Sequence, residues 1–400
     1  MEQLIEVIKQ KKIDDKQPVC AFYYDIEKLR KHLHNVVNAL PENCHMFYAM
    51  KANSDQHLLQ VISEYVHGFE VASLGEVKKA RAVHSKIPII FGGPGKTDEE
   101  ILGAMEYNVK LLHVESIHEL QRVEMIASTL NKHVSILLRI NLRGPLPSAT
   151  LQMAGRPTQF GIDESEITNA IEMAKMCEHI HLKGFHLHSI SNNLDYEKHL
   201  QLIGHYFEKI AAWNKTYHLD VSYLNAGGGI GVNYADLDNQ FKWEDFTAKL
   251  PDLMGDFGSG SRKLIFECGR FLTAHCGYYA VEVLDIKENH GKHFVIVKGG
   301  TQHFRLPVSW QHNHPFDVVQ ITQWDYPFKR KALRSSEVTI VGQLCTPKDV
   351  FARNVYVENI RIADVIVFRY AGAYGWDISH HDFLSHPHPE HIYLRDDPVV

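Results

Sequence analysis

The sequence predicts an α/β protein: an N-terminal (β/α)8 barrel of the TIM type, followed by a C-terminal β-sandwich or β-barrel domain. Three observations carry this. From about residue 45 to 270, short β-branched or aromatic runs alternate with helical patterns, the signature of a parallel α/β sheet. Eight such runs can be counted, the number that closes a barrel. After Arg270 strand-like runs follow one another without long helices between them. A length of 400 residues also exceeds what one compact domain usually uses.

Taken in order, Met1 to Ile13 reads as a polar amphipathic helix with Leu4, Ile5 and Ile8 on one side. Pro18 to Tyr24 carries no helical pattern and is expected to add a strand to the second domain. The barrel strands are His45 to Met50, Gly68 to Ser73, Ile87 to Phe91, Leu111 to Glu115, Val134 to Asn141, Leu182 to Ser189, Tyr223 to Ala226 and Leu264 to Glu267. The second domain should contain strands at Tyr278 to Ile286, His293 to Val297, Val338 to Gly342 and Val355 to Tyr370. Glu288-Asn289-His290-Gly291 reads as a hairpin turn. The chain ends in a stretch rich in His and Pro, from His380 to Pro389.

Composition narrows the function. Hydrophobic residues make up 44% and charged ones 22%, with a net charge of -6, so no electrostatic feature calls for nucleic acid or an anionic membrane. A small-molecule substrate is favoured. The opening helix lacks the apolar core of a signal peptide, and no stretch approaches the roughly 18 apolar residues of a membrane span. The six cysteines are scattered without CxxC spacing, which suits reduced thiols and a cytoplasmic enzyme.

In a (β/α)8 enzyme chemistry sits at the C-terminal ends of the strands. Strand one runs into Tyr48-Ala49-Met50-Lys51-Ala52-Asn53, and a lysine there can present the free amine that forms a Schiff base. Strand five carries Arg139, and strand six ends in His186-Leu187-His188-Ser189-Ile190-Ser191. Gly227-Gly228-Gly229 follows strand seven, where barrels commonly bind a phosphate with bare backbone N–H groups. Arg270 and Ser191 can add side-chain donors. Glu267, at the end of strand eight, is the carboxylate that would keep a pyridine nitrogen protonated, unless it serves only as an ion-pair partner of Arg139.

Other site chemistries fit less well. A dinucleotide fingerprint starting at Gly227 would need glycine where Val232 stands. Gly92 to Thr97 fails as a Walker A loop because Ile90 takes the place of its first glycine; it reads as strand, turn and helix cap. The pair His186 and His188 allows a metallohydrolase reading, since alternation puts both imidazoles on one strand face. Strands seven and eight, however, offer only glycines and one Glu as further ligands, so no metal is expected. A ring stacked on a cofactor is the better use of His188.

These segments resemble the fold-type III decarboxylases that depend on pyridoxal 5′-phosphate (PLP), the group of diaminopimelate, ornithine and arginine decarboxylases. The resemblance runs from about Ala21 to Tyr374. It implies that Lys51 carries PLP, that His188 stacks on the ring, and that Ser191 and Gly227 to Gly229 meet the phosphate. Glu267 and Arg270 of Glu267-Cys268-Gly269-Arg270 fall on the pyridine partner and its neighbouring arginine. Cys345 of Gly342-Gln343-Leu344-Cys345-Thr346 falls on a cysteine that enters the partner subunit's site, and Tyr374 of Ala371-Gly372-Ala373-Tyr374 on a tyrosine near the phosphate. The implied architecture is a PLP-binding barrel at 25–270, a β domain at 271–400 that takes in about 1–24, and a homodimer with shared active sites.

Departures from the family pattern sharpen the expectation. Ile190, Cys268 and Gln343 replace a glycine and two prolines, which alters backbone shape without removing a catalytic group. Thr346 stands where the family has an acidic residue that recognises a distal ammonium. Arg143 and Arg156 after strand five, and His303, Arg305, His312 and His314 further on, suit carboxylates instead. The expected substrate-binding residues are Arg156, Arg305 and Thr346, and the pattern resembles the decarboxylases of carboxylate-siderophore assembly. That resemblance implies decarboxylation of a citryl amide of 2,3-diaminopropionate. The alternatives are a decarboxylase of a free diamino acid and a non-catalytic PLP-binding regulator on the same scaffold.

Overall fold

The computed structural model describes residues 1–144, 151–152, 155, 157–258 and 260–394, without the side chains of 151, 152 and 256. The chain divides into two compact units, Arg30–Asn233 with Asp238–Leu272, and Met1–Leu29 with Tyr234–Leu237 and Thr273–Val400.

The first unit is the closed barrel. Its strands are Cys44–Ala49, Gly68–Val71, Ile89–Phe91, Leu111–Val114, Val134–Asn141, Ile180–His186, Tyr223–Asn225 and Lys263–Cys268, all parallel, and the eighth pairs back onto the first. All eight expected runs are strands, with ends shifted by a few residues. The helices between them start where a short polar side chain follows a strand. Asp55, Ser73, Ser116 and Asp195 accept hydrogen bonds from first-turn N–H groups, and Thr97 forms a capping box with Glu100. Gly92 to Thr97 is thus turn and cap, and the strand read into it ends just before, at Phe91.

Strand alternation builds the interior in layers. Phe47, Ile90, Leu111, Leu137 and Ile265 form an apolar cluster with half-buried Tyr223 against it. Two residues further along four of these strands, on the same face, stand His113, Arg139, Glu267 and Asn225. The barrel is therefore apolar below and polar towards its C-terminal rim.

In the second unit, strand Cys20–Asp25 pairs antiparallel with Gly277–Asn289 and parallel with Glu390–Leu394. Helix Glu2–Asp14 buries Leu4 and Ile8 in a cluster with Val19, Tyr23, Tyr278 and Val365. The expected hairpin joins Gly277–Asn289 to Lys292–Val297 through His290 and Gly291, both at positive φ, as a type I′ turn requires. The run Val355 to Tyr370 is two strands rather than one. Val350–Arg361 and Val365–Phe368 are separated by Ala363 at φ 67° and by buried Asp364, whose carboxylate accepts from Ile321 and Arg361 N–H groups. Strands Phe316–Val319 and Glu390–Leu394 had no sequence signal strong enough to be expected. Among the described residues no helix is long and apolar enough to cross a membrane.

Candidate active site

Strand one ends at Ala49, and a 3-10 turn, Met50–Ala52, carries Lys51 off the rim. Met50 and Ala52 are buried, whereas the Lys51 side chain is half exposed with Nζ 3.4 Å from Glu70 Oε2 on strand two. Burial pushes the Glu70 carboxyl up, and the Lys51 ammonium opposes that shift. Gly269 is required beside this turn. A Cβ there would lie 2.7 Å from Ala52 Cβ and 3.0 Å from the Ala49 carbonyl oxygen.

Glu267 is buried and accepts a 2.6 Å hydrogen bond from Asn225 Nδ2. His186 Nε2 lies 3.3 Å from its other oxygen, and His113 Nε2 lies 3.8 Å from the first. Burial holds both imidazoles well below their ordinary pKa, so both are neutral. Arg139, the alternative ion-pair partner, instead meets Glu115 at 2.7 Å and lies over the Phe160 ring. Among the described residues no Lys or Arg nitrogen lies within ion-pair distance of Glu267. A buried carboxylate without a cation is costly, and a protonated ring nitrogen would supply one.

His188 and the glycine run interlock. The Gly228 N–H donates to His188 Nδ1 at 3.0 Å, which places the proton of the neutral ring on Nε2. Gly227, at φ +69°, would put a Cβ 2.0 Å from His188 Nδ1, and a Cβ on Gly228 would lie 2.4 Å from the Glu267 carbonyl oxygen. Only glycine fits this approach. The Gly227 N–H donates to Asn225 Oδ1 at 2.9 Å, so two donors of the run are used within the protein. That narrows the expectation of three bare N–H groups. Ser191 is half-buried in the two-residue strand Ile190–Ser191, and Arg270 is buried at the start of helix Arg270–Thr273.

The barrel thus gathers Lys51, Arg139, His188, Ser191, Gly227 to Gly229, Glu267, Gly269 and Arg270 at its rim. Sequence reasoning passed over Glu70, His113, Glu115 and Asn225, polar residues inside otherwise apolar strands, which is the pattern that could have revealed them. His113, His186 and Glu267 place ligand-type atoms within 4.8 Å of one another, so strand four supplies the third group that the HxH reading lacked. His188 is not part of that group, and its Nδ1 accepts from the Gly228 N–H.

Apart from Arg143, the remaining expected residues lie in the second unit or outside the described residues. Cys345 is exposed, Thr346 and Tyr374 are half-buried, and Arg305 is exposed with its backbone N–H on Ser379 Oγ. His303 is a core residue, 3.1 Å from the Tyr279 hydroxyl and pushed down to about 3 by burial. His312 and His314 pack on Tyr234. In the barrel unit, Arg143 is paired with Asp163 at 2.7 Å. Arg156 lies outside the described residues.

A rim lysine, a glycine cradle and a cation-seeking buried carboxylate on a (β/α)8 barrel define a PLP-binding enzyme. The chain belongs to the pyridoxal-dependent decarboxylase family, whose pyridoxal-binding domain matches residues 26–274. It is 55% identical over 388 residues to the Staphylococcus aureus 2-[(L-alanin-3-ylcarbamoyl)methyl]-2-hydroxybutanedioate decarboxylase, with 97% of each chain covered. The L-glutamyl-[BtrI acyl-carrier protein] decarboxylase of Niallia circulans is 29% identical, with 94% of this chain and 88% of that one covered. Among solved structures, diaminopimelate decarboxylase from Helicobacter pylori complexed with L-lysine superposes with a TM-score of 0.85 at 26% identity, covering 97% of this chain and 94% of that one. The protein is a PLP-dependent carboxy-lyase.

Proposed function

We propose that this enzyme decarboxylates the citryl amide of L-2,3-diaminopropionate, giving the citryl amide of diaminoethane and CO2, as a step of carboxylate-siderophore assembly in the cytoplasm. The observation that carries the reading is the 55% identity, over 97% of both chains, to a decarboxylase whose named substrate is that amide. Thr346 supports it. A distal ammonium needs a carboxylate partner, and Thr346 offers a neutral hydroxyl whose Oγ1 already accepts from the Lys348 N–H. Arg305 is exposed, makes no ion pair among the described residues and suits a carboxylate, as does Arg156.

PLP fits the barrel residues, and bound there it supplies an electron sink for the bond that breaks as CO2 leaves. Lys51 is the amine that holds it covalently, with Glu70 orienting Nζ. Gly227 to Gly229, Ser191 and Arg270 would hold its phosphate, with Tyr374 a further phosphate partner on the resemblance; Gly269 lets the end of strand eight approach the Lys51 turn, and Arg139 would line the cofactor site from strand five. His188, kept neutral by burial, would stack on the cofactor ring. Glu267, held by the Asn225 amide, would keep a proton on the pyridine nitrogen. His113, His186 and Glu267 serve as this polar floor rather than as metal ligands. Cys345 of a second copy holds the proton delivered to Cα, which makes the working unit a homodimer.

CO2 release tests the substrate. The citryl amide should turn over more efficiently than free ornithine, lysine or diaminopimelate, and Arg305→Gln should lower kcat/KM for the amide roughly tenfold, the worth of a charge-assisted bond. A preference for a free diamino acid would leave only the decarboxylase class standing.

A further inference from the structure

Gln343 stands where the resemblance places a proline, two residues before Cys345. It uses what proline lacks. Its backbone N–H donates to the Gly299 carbonyl at 2.8 Å, and its side-chain Oε1 accepts from the Gly299 N–H at 2.7 Å. Its Nε2 is a donor only, so the 3.1 Å contact with His386 makes His386 Nδ1 the acceptor. Gly299, at φ +83°, is seated on a buried cluster: a Cβ there would lie 2.3 Å from the Tyr279 hydroxyl and 3.1 Å from Cys20 Sγ.

Asp349 holds the same turn from the other side. Its buried carboxylate accepts from the Leu344 N–H at 2.9 Å and the Thr301 N–H at 2.7 Å, and its carbonyl accepts from the Gly342 N–H at 3.1 Å. Gly342 and Leu344 are therefore pinned, while Cys345 projects as an exposed thiol.

We propose that Gln343 is a positioning residue for Cys345, fixing its turn through Gly299 and tying it to His386 of the His-rich end of the chain. Hydrogen bonds here do what the fixed φ of a proline would do. This rests on reading Cys345 as the proton donor, and the test separates the two.

Kinetics with the citryl amide are compared for the wild-type enzyme, Gln343→Ala, Cys345→Ala and the double variant. Gln343→Ala should lower kcat about tenfold with KM little changed, the expected effect of losing two neutral hydrogen bonds. Added to Cys345→Ala it should cost nothing more, because it acts through the thiol. An equal loss in both backgrounds, or no loss at all, would overturn the proposal. Unchanged kcat in Cys345→Ala would instead sink the proton-donor reading. The clamp is then judged without turnover, by the rate at which iodoacetamide alkylates Cys345, mapped on its peptide. That rate should change in Gln343→Ala and in His386→Ala, which removes a single bond at a half-exposed residue and so is expected to fold. Wild-type rates in both variants would refute the clamp.

Discussion

Replacing Glu267 with Gln tests the centre of the proposed chemistry. The carboxylate accepts from Asn225 Nδ2 through Oε1 at 2.6 Å, and a glutamine oxygen can keep that bond. The amide nitrogen then occupies the other carboxylate position, 3.3 Å from His186 Nε2, and the site loses its anion. The protonated pyridine nitrogen of bound PLP would then lose the partner of a charge-assisted bond at a site that is 7% exposed. Such a bond is worth on the order of 3 kcal/mol when desolvated, and the reversed dipole adds to the loss, so kcat should fall about 100-fold. Substrate binding should change much less, because electron flow into the ring matters mainly in the transition state. Steady-state kcat and KM, with PLP content read from the visible spectrum, make the measurement. Unchanged turnover in a variant that retains PLP would refute the role of Glu267.

Further expectations follow from the same geometry. Borohydride should fix the chromophore onto the peptide that contains Lys51, and labelling of another lysine would reassign the covalent anchor. Mixing inactive Lys51→Ala chains with strongly impaired Cys345→Ala chains should raise activity well above that of either alone, since random exchange produces one intact shared site; no recovery despite proven exchange would mean that the site is built within one chain. Burial holds His199 to about 4, whereas an unfolded imidazole titrates near 6.5. Below that value the unfolded chain binds a proton that the native chain does not, so stability should be level above about pH 6.5 and fall as pH drops towards 4. A single such histidine approaches ~1.4 kcal/mol lost per pH unit. Urea midpoints across this range provide the check, and a slope that His199→Asn leaves unaltered would contradict the assignment.

Much of the site was legible because it is local. Lys51, Gly227 to Gly229 and Glu267 each directly follow or end a strand, and a strand announces itself by alternation and by the turn residues around it. All eight barrel strands could be located this way. Partnership was not legible, because a strand's inward face is local but its neighbour across the barrel is set by closure and register. Arg139 was a reasonable partner for Glu267 by charge, yet the barrel delivers it to Glu115 and leaves Glu267 to Asn225 and two neutral histidines. The split of Val355 to Tyr370 had the same origin: Asp364 stands between two strands because Ile321 and Arg330 come from elsewhere to join Arg361, the last residue of the first strand, in satisfying its buried carboxylate. The sequence by itself determined the eight barrel strands and which polar residues stand at their C-terminal ends. Tertiary structure decided which buried polar groups meet, since a burial penalty is settled only by atoms that folding brings within hydrogen-bonding distance.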